Sequence, residues 1–158
     1  MGSNFELGAT ARGEIAVGYL SQEYDDPTLG DIDGFGARAQ VEWFPTQLTT
    51  VTFTGSRTIE ESASPGSAGY TSANLGVKVD HELMRNVILT GNVSTGKDDY
   101  QGITREDDRF NAGVGATYLL NRNVGVTVAY SHMDMDSSGF GGQDFKVNKV
   151  GATVALQF

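Results

Sequence analysis

The amino-acid sequence predicts an all-β fold, a transmembrane, antiparallel, up-and-down β-barrel of about eight strands. The first observation is alternation: Val150, Ala152, Val154 and Leu156 occupy every second position before Phe158. A period of two belongs to a strand with two different faces. The second observation is a recurring short turn, and the third is the clustering of aromatic residues near strand ends. Two aromatic belts are typical of a barrel that crosses both interfaces of a membrane.

Composition agrees with that fold and argues against several function classes. The 158 residues fit one domain, and no apolar run approaches the roughly 18 residues of a transmembrane helix. A net charge of −9 argues against nucleic-acid binding, which requires a basic surface. Because the chain has no cysteine, disulfides are excluded and a zinc site is not expected. We expect no cofactor.

The short turns define an internal repeat. Three junctions resemble one another, at residues 43–48, 82–87 and 119–124. From Pro45 to Met84 is 39 positions, and from Met84 to Asn121 is 37. A repeat of this length could also indicate a solenoid. Tight turns on one side and longer Gly-, Ser- and Asp-rich loops on the other favour a barrel, with the turns in the periplasm and the loops outside.

Taken in order, the alternating segments predict eight strands. They span roughly residues 14–24, 33–44, 48–61, 69–83, 87–99, 106–120, 124–137 and 145–158. Residues 4–11 are a candidate ninth strand. Pro27, Pro45 and Pro65 fall between the predicted strands, where a missing N–H is tolerated. The predicted strands exceed the roughly 9–11 residues that cross a membrane, so we expect their ends to project beyond the bilayer.

The requirement for an even number of strands divides the chain into two predicted parts. These are an N-terminal extension or partial strand at 1–13 and an outer-membrane β-barrel at 14–158. Eight strands within 14–158 close antiparallel, and bacterial single-chain barrels have even strand numbers. A ninth strand at 4–11 would lie parallel to the last one. We therefore expect residues 1–13 to lie outside the wall, or a partner strand to be missing from a larger barrel.

The alternation assigns an apolar, lipid-facing side to the strands. Its candidates, in strand order, are Ile15, Val17, Tyr19, Phe35, Ala37, Ala39, Val41, Trp43, Val51, Phe53, Ala73, Leu75, Val77, Val79, Val87, Leu89, Val93, Phe110, Ala112, Val114, Ala116, Tyr118, Val124, Val126, Val128 and Tyr130. The expected lipid-interface aromatics are Tyr19, Phe35, Trp43, Tyr118, Tyr130 and Phe158. Alternation alone also fits a soluble sandwich or a soluble small-ligand-binding barrel with an apolar interior. The aromatic strand ends and the Gly-rich polar side favour the membrane barrel.

The polar side is predicted to line the lumen. Its lining residues are Arg38, Gln40, Glu42, Lys78, Asp80, Glu82, Asn92 and Arg109. We expect Arg57 to face inward, or nearly so. Such side chains could set ion selectivity in a channel. They could also pair across strands and plug an eight-stranded barrel, whose interior is just wide enough for side chains to fill.

No catalytic or metal site is expected. His132 follows Ser131, but adjacent strand residues face opposite sides, so the two cannot act as base and nucleophile. Acidic clusters lie in or beside the long loops, and residues 31–34 match only part of a calcium loop. Solvated loop ends are the simpler interpretation. These loops could also contact lipopolysaccharide phosphate through divalent cations.

The chain resembles a known family along nearly its whole length. The residues that carry the resemblance are Gly18-Tyr19, Trp43-Phe44-Pro45-Thr46, Arg57, Gly69-Tyr70, His81-Glu82-Leu83, Asp98-Asp99-Tyr100, Arg105-Glu106-Asp107-Asp108, Tyr118-Leu119-Leu120-Asn121-Arg122-Asn123, Tyr130, Ser137, Asn148 and Phe158. They resemble the C-terminal part of the putative β-barrel porin 2 family, which are outer-membrane proteins of Gram-negative bacteria. Members are typically much longer, so the resemblance implies a C-terminal segment or an unusually small relative.

The resemblance implies a porin-like passive conduit for ions or small polar solutes in the bacterial outer membrane. Some family members accompany exopolysaccharide export, so a link to that process is also implied. The low strand count favours the alternative, a non-conducting anchor or scaffold with a plugged lumen and acidic extracellular loops. The expected partners are outer-membrane lipid, lipopolysaccharide and the barrel-assembly machinery, which would act through the C-terminal strand ending in Phe158. We expect neither a nucleic-acid partner nor an enzymatic activity.

Overall fold

The computed structural model describes residues 2–22, 32–62, 64, 66–67, 69–139 and 141–156. These residues form β1 (Gly2–Leu7), β2 (Ala11–Gln22), β3 (Ile32–Thr46), β4 (Thr49–Glu61), β5 (Gly69–Met84), β6 (Val87–Tyr100), β7 (Arg105–Leu119), β8 (Val124–Gly139) and β9 (Phe145–Leu156). Among them, no helix is long and apolar enough to cross a membrane.

All nine strands form one sheet, in which each strand pairs antiparallel with the next along the chain. The connections differ in length: two residues join β3 to β4 and β5 to β6, residues 62–68 join β4 to β5, and four residues each join β6 to β7 and β7 to β8. The up-and-down arrangement that the repeat predicts is therefore confirmed. The candidate ninth strand is also present, as β1.

The predicted closure of eight strands is wrong for the structure described here. β1 pairs with β2 from Leu7 opposite Ala11 to Gly2 opposite Ala16. It therefore belongs to the wall and covers part of the edge that β9 would need. Within the described residues β9 pairs only with β8, and the sheet is open. Because nine strands alternate in direction, β1 and β9 run the same way and cannot pair antiparallel with each other.

Pro45 lies inside β3, contrary to the prediction that it falls between strands. It sits where the pairing register shifts between Trp43 and Thr46. A register shift leaves a residue out of the ladder, so a residue without an N–H is tolerated there. Pro27 and Pro65 lie outside the described residues.

The sheet buries its polar side more deeply than its apolar side. Leu75 on β5 and Val114 on β7 are 65% and 62% exposed, whereas Ser72 and Asp107 on the other side of the same strands are 3% and 0% exposed. A soluble barrel or sandwich would show the reverse, because the hydrophobic effect buries apolar side chains. The more enclosed side of this sheet therefore carries the polar groups.

Candidate functional site

The eight predicted lining residues lie on one side of the sheet, which we call the polar face. Cross-strand partners share a face, and the register carries this face across the sheet. One row of partners runs Glu42, Thr52, Lys78, Asn92, Gly113, Ser131 and Lys149. A neighbouring row runs Gln40, Thr54, Gly76, Ser94 and Asn111.

Some of the lining residues are held by partners on the polar face. Glu42 accepts a hydrogen bond from Nε of Arg12 at 2.5 Å. Asp80 pairs with Nζ of Lys78 at 2.9 Å and accepts a hydrogen bond from Thr90 at 2.8 Å. Each pair lies along the sheet surface, so it neutralises charge at the wall.

The remaining lining residues, apart from Arg109, have free side chains. Arg38, Gln40, Glu82 and Asn92 make no side-chain hydrogen bond or ion pair with any residue that the structure describes. Arg38, Glu82 and Asn92 are exposed, and Gln40 is half-buried. These groups are therefore available to water or to a polar solute.

Glycines on the polar face make room for polar side chains that lie across the strands. A Cβ at Gly96 would meet Asn74 Oδ1, and a Cβ at Gly113 would lie 2.7 Å from Oδ1 of Asn92. Real Cβ atoms do not approach that closely, so a larger residue at either position would force its neighbour to move. The glycines thus allow the polar layer to lie flat against the wall.

Arg109 occupies the centre of one polar cluster. Its Nη2 donates to Oδ1 of Asp98 at 2.7 Å, to Oγ of Ser72 at 3.1 Å and to Oδ1 of Asn74 at 3.2 Å. Asp98 is on the neighbouring strand β6, whereas Ser72 and Asn74 are two strands away on β5. This contact pattern fits a sheet curved towards its polar face.

A second cluster lies at the loop ends of β4 to β7. Arg105 donates to both carboxylate oxygens of Asp107, from Nε at 3.0 Å and from Nη2 at 2.8 Å. Its guanidinium lies 4.6 Å from the centre of the Tyr100 ring, which stacks on Tyr70 at 5.0 Å. The hydroxyl of Tyr70 donates to Glu60 at 2.9 Å. The cluster ties four strands together, and we call it the loop-end cluster.

Sequence reasoning identified Arg109 but missed the loop-end cluster. The motif residues Asp98, Tyr100, Arg105 and Asp107 served only as evidence for the family resemblance. The alternation of side chains was a usable signal. Charged and aromatic residues recur at every second position near the loop ends of β6 and β7, which places them on one face of each strand. This alternation alone does not identify the partners, because pairing depends on the register between strands.

The opposite side of the sheet, which we call the apolar face, carries an apolar band with charged margins. On β7 the outward residues from Phe110 to Tyr118 are aromatic, Ala or Val, whereas Glu106 and Asp108 face the same way beyond Phe110. On β6 the change from uncharged to charged residues comes at Lys97. The loop ends of the strands therefore extend past the apolar band.

Ion pairs lie on this charged margin. Lys97 contacts Glu106 at 2.8 Å, and Lys146 contacts Asp134 at 2.6 Å. Most of these side chains are exposed, so such pairs contribute little to stability and are weakened by salt. The acidic clusters at 98–99 and 106–108 lie at strand ends and not in loops. The other acidic residues near the loops, at 25–26 and 31 and the side chain of Asp33, lie outside the described part of the structure.

The predicted interface aromatics that the structure describes are all exposed on the apolar face. Tyr19 and Phe35 contact each other edge to face at 5.4 Å near the loop ends of β2 and β3. Trp43 and Tyr118 lie near the short turns, whereas Tyr130 lies nearer the middle of β8 than expected. Phe158 is outside the described residues.

The pKa values at the loop-end cluster follow from burial and pairing, and these groups lie beyond the apolar band. Burial and the hydrogen bond to Glu60 raise the pKa of Tyr70 to about 12. Burial opposes ionisation of Asp107, but the hydrogen bonds from Arg105 and the positive charge of Arg105 lower the pKa of Asp107 below its usual value. Asp107 is therefore held as a buried anion.

Arg57 is on the apolar face, and the expectation that it points inward is wrong. Its cross-strand neighbours are Ala37 and Ala73, which are lipid-facing candidates. The polar-face residues of β4 that precede Arg57 have even numbers. Because successive residues of a strand point to opposite faces, the odd-numbered Arg57 points to the apolar face.

The Ser131 and His132 side chains lie on opposite faces. His132 Nδ1 is 2.8 Å from Oδ1 of Asn148, whereas Ser131 is opposite Lys149 on the polar face. These two residues therefore do not form a nucleophile–base pair. In the part of the chain that the structure describes, no three His, Asp or Glu side chains come together as a metal site.

The family described as Putative beta-barrel porin 2 matches residues 1–158. No curated protein and no solved structure matches the chain.

Proposed function

The chain belongs to the Putative beta-barrel porin 2 family, and on that premise we propose that its sheet is the wall of an outer-membrane β-barrel. The barrel acts as a passive conduit for ions or small polar solutes. The observation that carries this proposal is the inverted sheet, with its polar face enclosed and its apolar face exposed. The family is porin-like, which suggests that the protein is not an enzyme.

The size of the apolar band supports insertion in a membrane. On β7 it spans nine residues, 110–118. At about 3.3 Å per residue and a tilt of about 40°, this length corresponds to roughly 23 Å along the membrane normal. Outer-membrane barrels have an apolar band about 25 Å tall. The charged margin beyond Phe110 then lies at the outer interface.

The contacts on the polar face favour a conduit over a plug. The longest reach among the described polar-face side chains within the strands is that of Arg109, from β7 to β5. The pairs of Glu42 and Asp80 join neighbouring strands or residues of one strand. A plugged barrel would pair side chains from opposite walls. These pairs follow one wall and leave Arg38 and Asn92 free.

A water-filled lumen needs more strands than this sheet contains. Eight strands enclose a space that side chains fill, whereas about 16–18 leave an aqueous channel. An open sheet of nine strands suits a wider ring, completed by further strands at the edges of β1 and β9. Because β1 and β9 run in the same direction, an odd number of additional strands keeps every pairing antiparallel.

Cysteine labelling of β5 tests the assignment of the two faces. The chain has no native cysteine, so Val77→Cys and Lys78→Cys each provide one thiol on opposite faces of one strand. In protein inserted into phosphatidylcholine vesicles, we expect Lys78→Cys to react with a water-soluble maleimide and Val77→Cys to be protected. A fluorophore attached to the thiol of the Val77→Cys variant before insertion should be quenched by brominated lipid. Equal reactivity at both positions would contradict the proposal.

Planar-bilayer conductance tests the conduit. We expect steady openings, with Arg38→Ala and Lys78→Ala each raising the preference for cations because a positive charge is lost from the polar face. Glu106→Gln, on the apolar face, is the matched control and should leave selectivity unchanged. Folded, inserted protein without conductance would favour the non-conducting anchor, which the buried Arg105–Asp107 pair also suits.

A link to exopolysaccharide export and recognition by the barrel-assembly machinery are part of this proposal. Both rest on the family resemblance and on the location that it implies. The contacts expected with lipopolysaccharide through acidic loops rest on the charged margin of the apolar face.

A further inference from the structure

A groove crosses the apolar face between β2 and β6. Its volume is about 420 Å³, within the rough range of 300–1,000 Å³ that is common for ligand sites. Small residues form its floor, and Ile15 and Leu75 are the large apolar residues that line it. The small residues are Ala37, Ala39, Gly55 and Ala73. The residues around the floor have larger side chains than the alanines and the glycine within it. The surface of the sheet is therefore lower at the floor, which makes a depression.

The floor of the groove follows from the strand register. Ala39 is opposite Gly55, and Gly55 is opposite Leu75. In the next row towards the loops, Ala37 and Ala73 flank Arg57. Both rows belong to the apolar face, so the groove opens towards the surroundings of the barrel and not towards the lumen.

Two cationic side chains line the loop end of this groove. Arg57 lies between the two alanines of the upper row, and Lys97 is opposite Ala73 on β6. Lys97 is paired with Glu106 at 2.8 Å. The side chain of Arg57 has no hydrogen bond or ion pair with any residue in the described part of the chain. Arg57, which has no partner among the described residues, is thus a lining residue of an apolar groove.

We propose that the groove binds a phosphorylated membrane lipid, with one acyl chain along its floor and the phosphate against Arg57. This inference rests on the proposed membrane location. Charge complementarity selects the ligand: a guanidinium binds phosphate through paired N–H donors, whereas a chain with net charge −9 otherwise repels anions. The apolar floor selects a lipid over free phosphate, because burial of an acyl chain contributes free energy with every methylene.

The alternative role for Arg57 is to extend its charge to the interface while its methylenes cover apolar surface. That role requires no preference among lipids. The two roles therefore differ in one measurable property, the selectivity for a phosphate monoester over a neutral lipid of the same acyl chains.

Nanodiscs provide the test. The full chain is first inserted into phosphatidylcholine nanodiscs, and insertion is checked by resistance to protease. Native mass spectrometry then compares retention of dioleoyl phosphatidic acid with that of dioleoylglycerol. We expect wild-type protein to retain phosphatidic acid preferentially, and Arg57→Gln to lose at least about tenfold of that preference, as loss of a charged hydrogen bond implies. Inorganic phosphate at millimolar concentration should not displace the lipid.

Two further variants separate the groove from general effects of charge and bulk. Ala39→Phe should fill the floor and reduce retention of both lipids, whereas Ala116→Phe, exposed on the same face of β7, should not. Arg85→Gln removes a charge at a short turn and should leave the preference intact.

The outcomes distinguish the failure of this inference from failure of the proposed function. Insertion with equal retention of both lipids, or equal preference in wild type and Arg57→Gln, overturns the lipid site alone. Displacement by inorganic phosphate overturns the role of the acyl chain. Failure of folded protein to insert into phosphatidylcholine overturns the membrane location and the lipid site together.

Discussion

The buried carboxylate of Asp107 offers the sharpest test of the packing on the polar face. Its side chain is 1% exposed and the Arg105 side chain 19% exposed, and two hydrogen bonds of 3.0 and 2.8 Å join them. Removing one member of a buried pair typically costs about 3–5 kcal/mol, because the other charge stays buried without its partner. Arg105 keeps some contact with water and with Tyr100, so we expect Asp107→Asn to cost about 3 kcal/mol.

Urea unfolding of the refolded protein in detergent micelles measures this cost, with the fluorescence of the single tryptophan, Trp43, as the signal. For a slope near 2 kcal/mol per molar, a loss of about 3 kcal/mol lowers the midpoint by about 1.5 M. Glu106→Gln is the matched control: it is the preceding residue and breaks an exposed pair with Lys97, so its midpoint should barely move. Equal shifts for Asp107→Asn and Glu106→Gln would refute the reasoning.

The double variant and the pH dependence sharpen this prediction. Arg105→Gln with Asp107→Asn should cost less than the sum of the single changes, because neither charge is then left buried alone. The pKa of Asp107 is lowered in the folded protein, so its stabilisation is present above the unfolded value near 3.9 and is lost as pH falls through the folded pKa. The midpoint difference between wild type and Asp107→Asn should therefore shrink as the pH is lowered below about 3.9.

Two further predictions concern neighbouring positions. Gly96→Ala should destabilise the protein by about 1–3 kcal/mol, because its Cβ would displace Asn74 from Arg109; Gly91→Ala on the same strand, with no atom within 4 Å of its Cβ, is the control. Similar urea midpoints for the two alanine variants would contradict this. Tyr70 should ionise near pH 12, and the stability that its neutral form contributes should be lost as the pH rises through that value. An ultraviolet titration in which Tyr70→Phe removes an early-ionising group instead would be the contrary result.

The alternation of single residues was enough to predict most strands. The predicted spans at 69–83 and 87–99 differ from β5 and β6 by one residue at their ends, because period-two alternation and a polar two-residue turn define a hairpin locally. The turn at Pro45 was harder. The register shift beside it absorbs the proline into β3, and a shift depends on how the partner strand bends.

The sequence predicted which side of the sheet a residue faces wherever the strict alternation of side chains along the strand was applied. Arg38, Lys78 and Asn92 share the polar face as their numbering within each strand requires. Arg57 was expected to face inward, or nearly so, but its register in β4 places it between Ala37 and Ala73 on the apolar face. Strand geometry decides the direction of a side chain, whatever its charge.

The partners within the loop-end cluster could not be predicted from local pattern. The pairing of Arg105 with Asp107 is local, since the two residues lie on one side of one strand. The neighbours of Asp107 on β6 and β8, Asp98 and Ser137, are set by the strand register. The stacking of Tyr100 on Tyr70 depends on the register between β5 and β6. That register places Tyr70, the second residue of β5, opposite Tyr100, the last residue of β6. Long-range register is a property of the whole sheet.

Closure of the sheet into a ring is the feature that the local sequence pattern determines least. The proposed conduit function depends on it, because the size of the ring sets the size of the lumen. Each hairpin is specified by its own alternation and turn, but whether the edges of β1 and β9 meet depends on the number of strands and on their stagger. In the described sheet β1 takes part of the edge of β2, so an eight-stranded ring requires β1 to leave. Keeping β1 in the wall instead requires a wider ring. The proposed conduit therefore depends on the six-residue strand β1 staying paired with β2, because only the wider ring would leave Arg38 and Asn92 facing an open lumen.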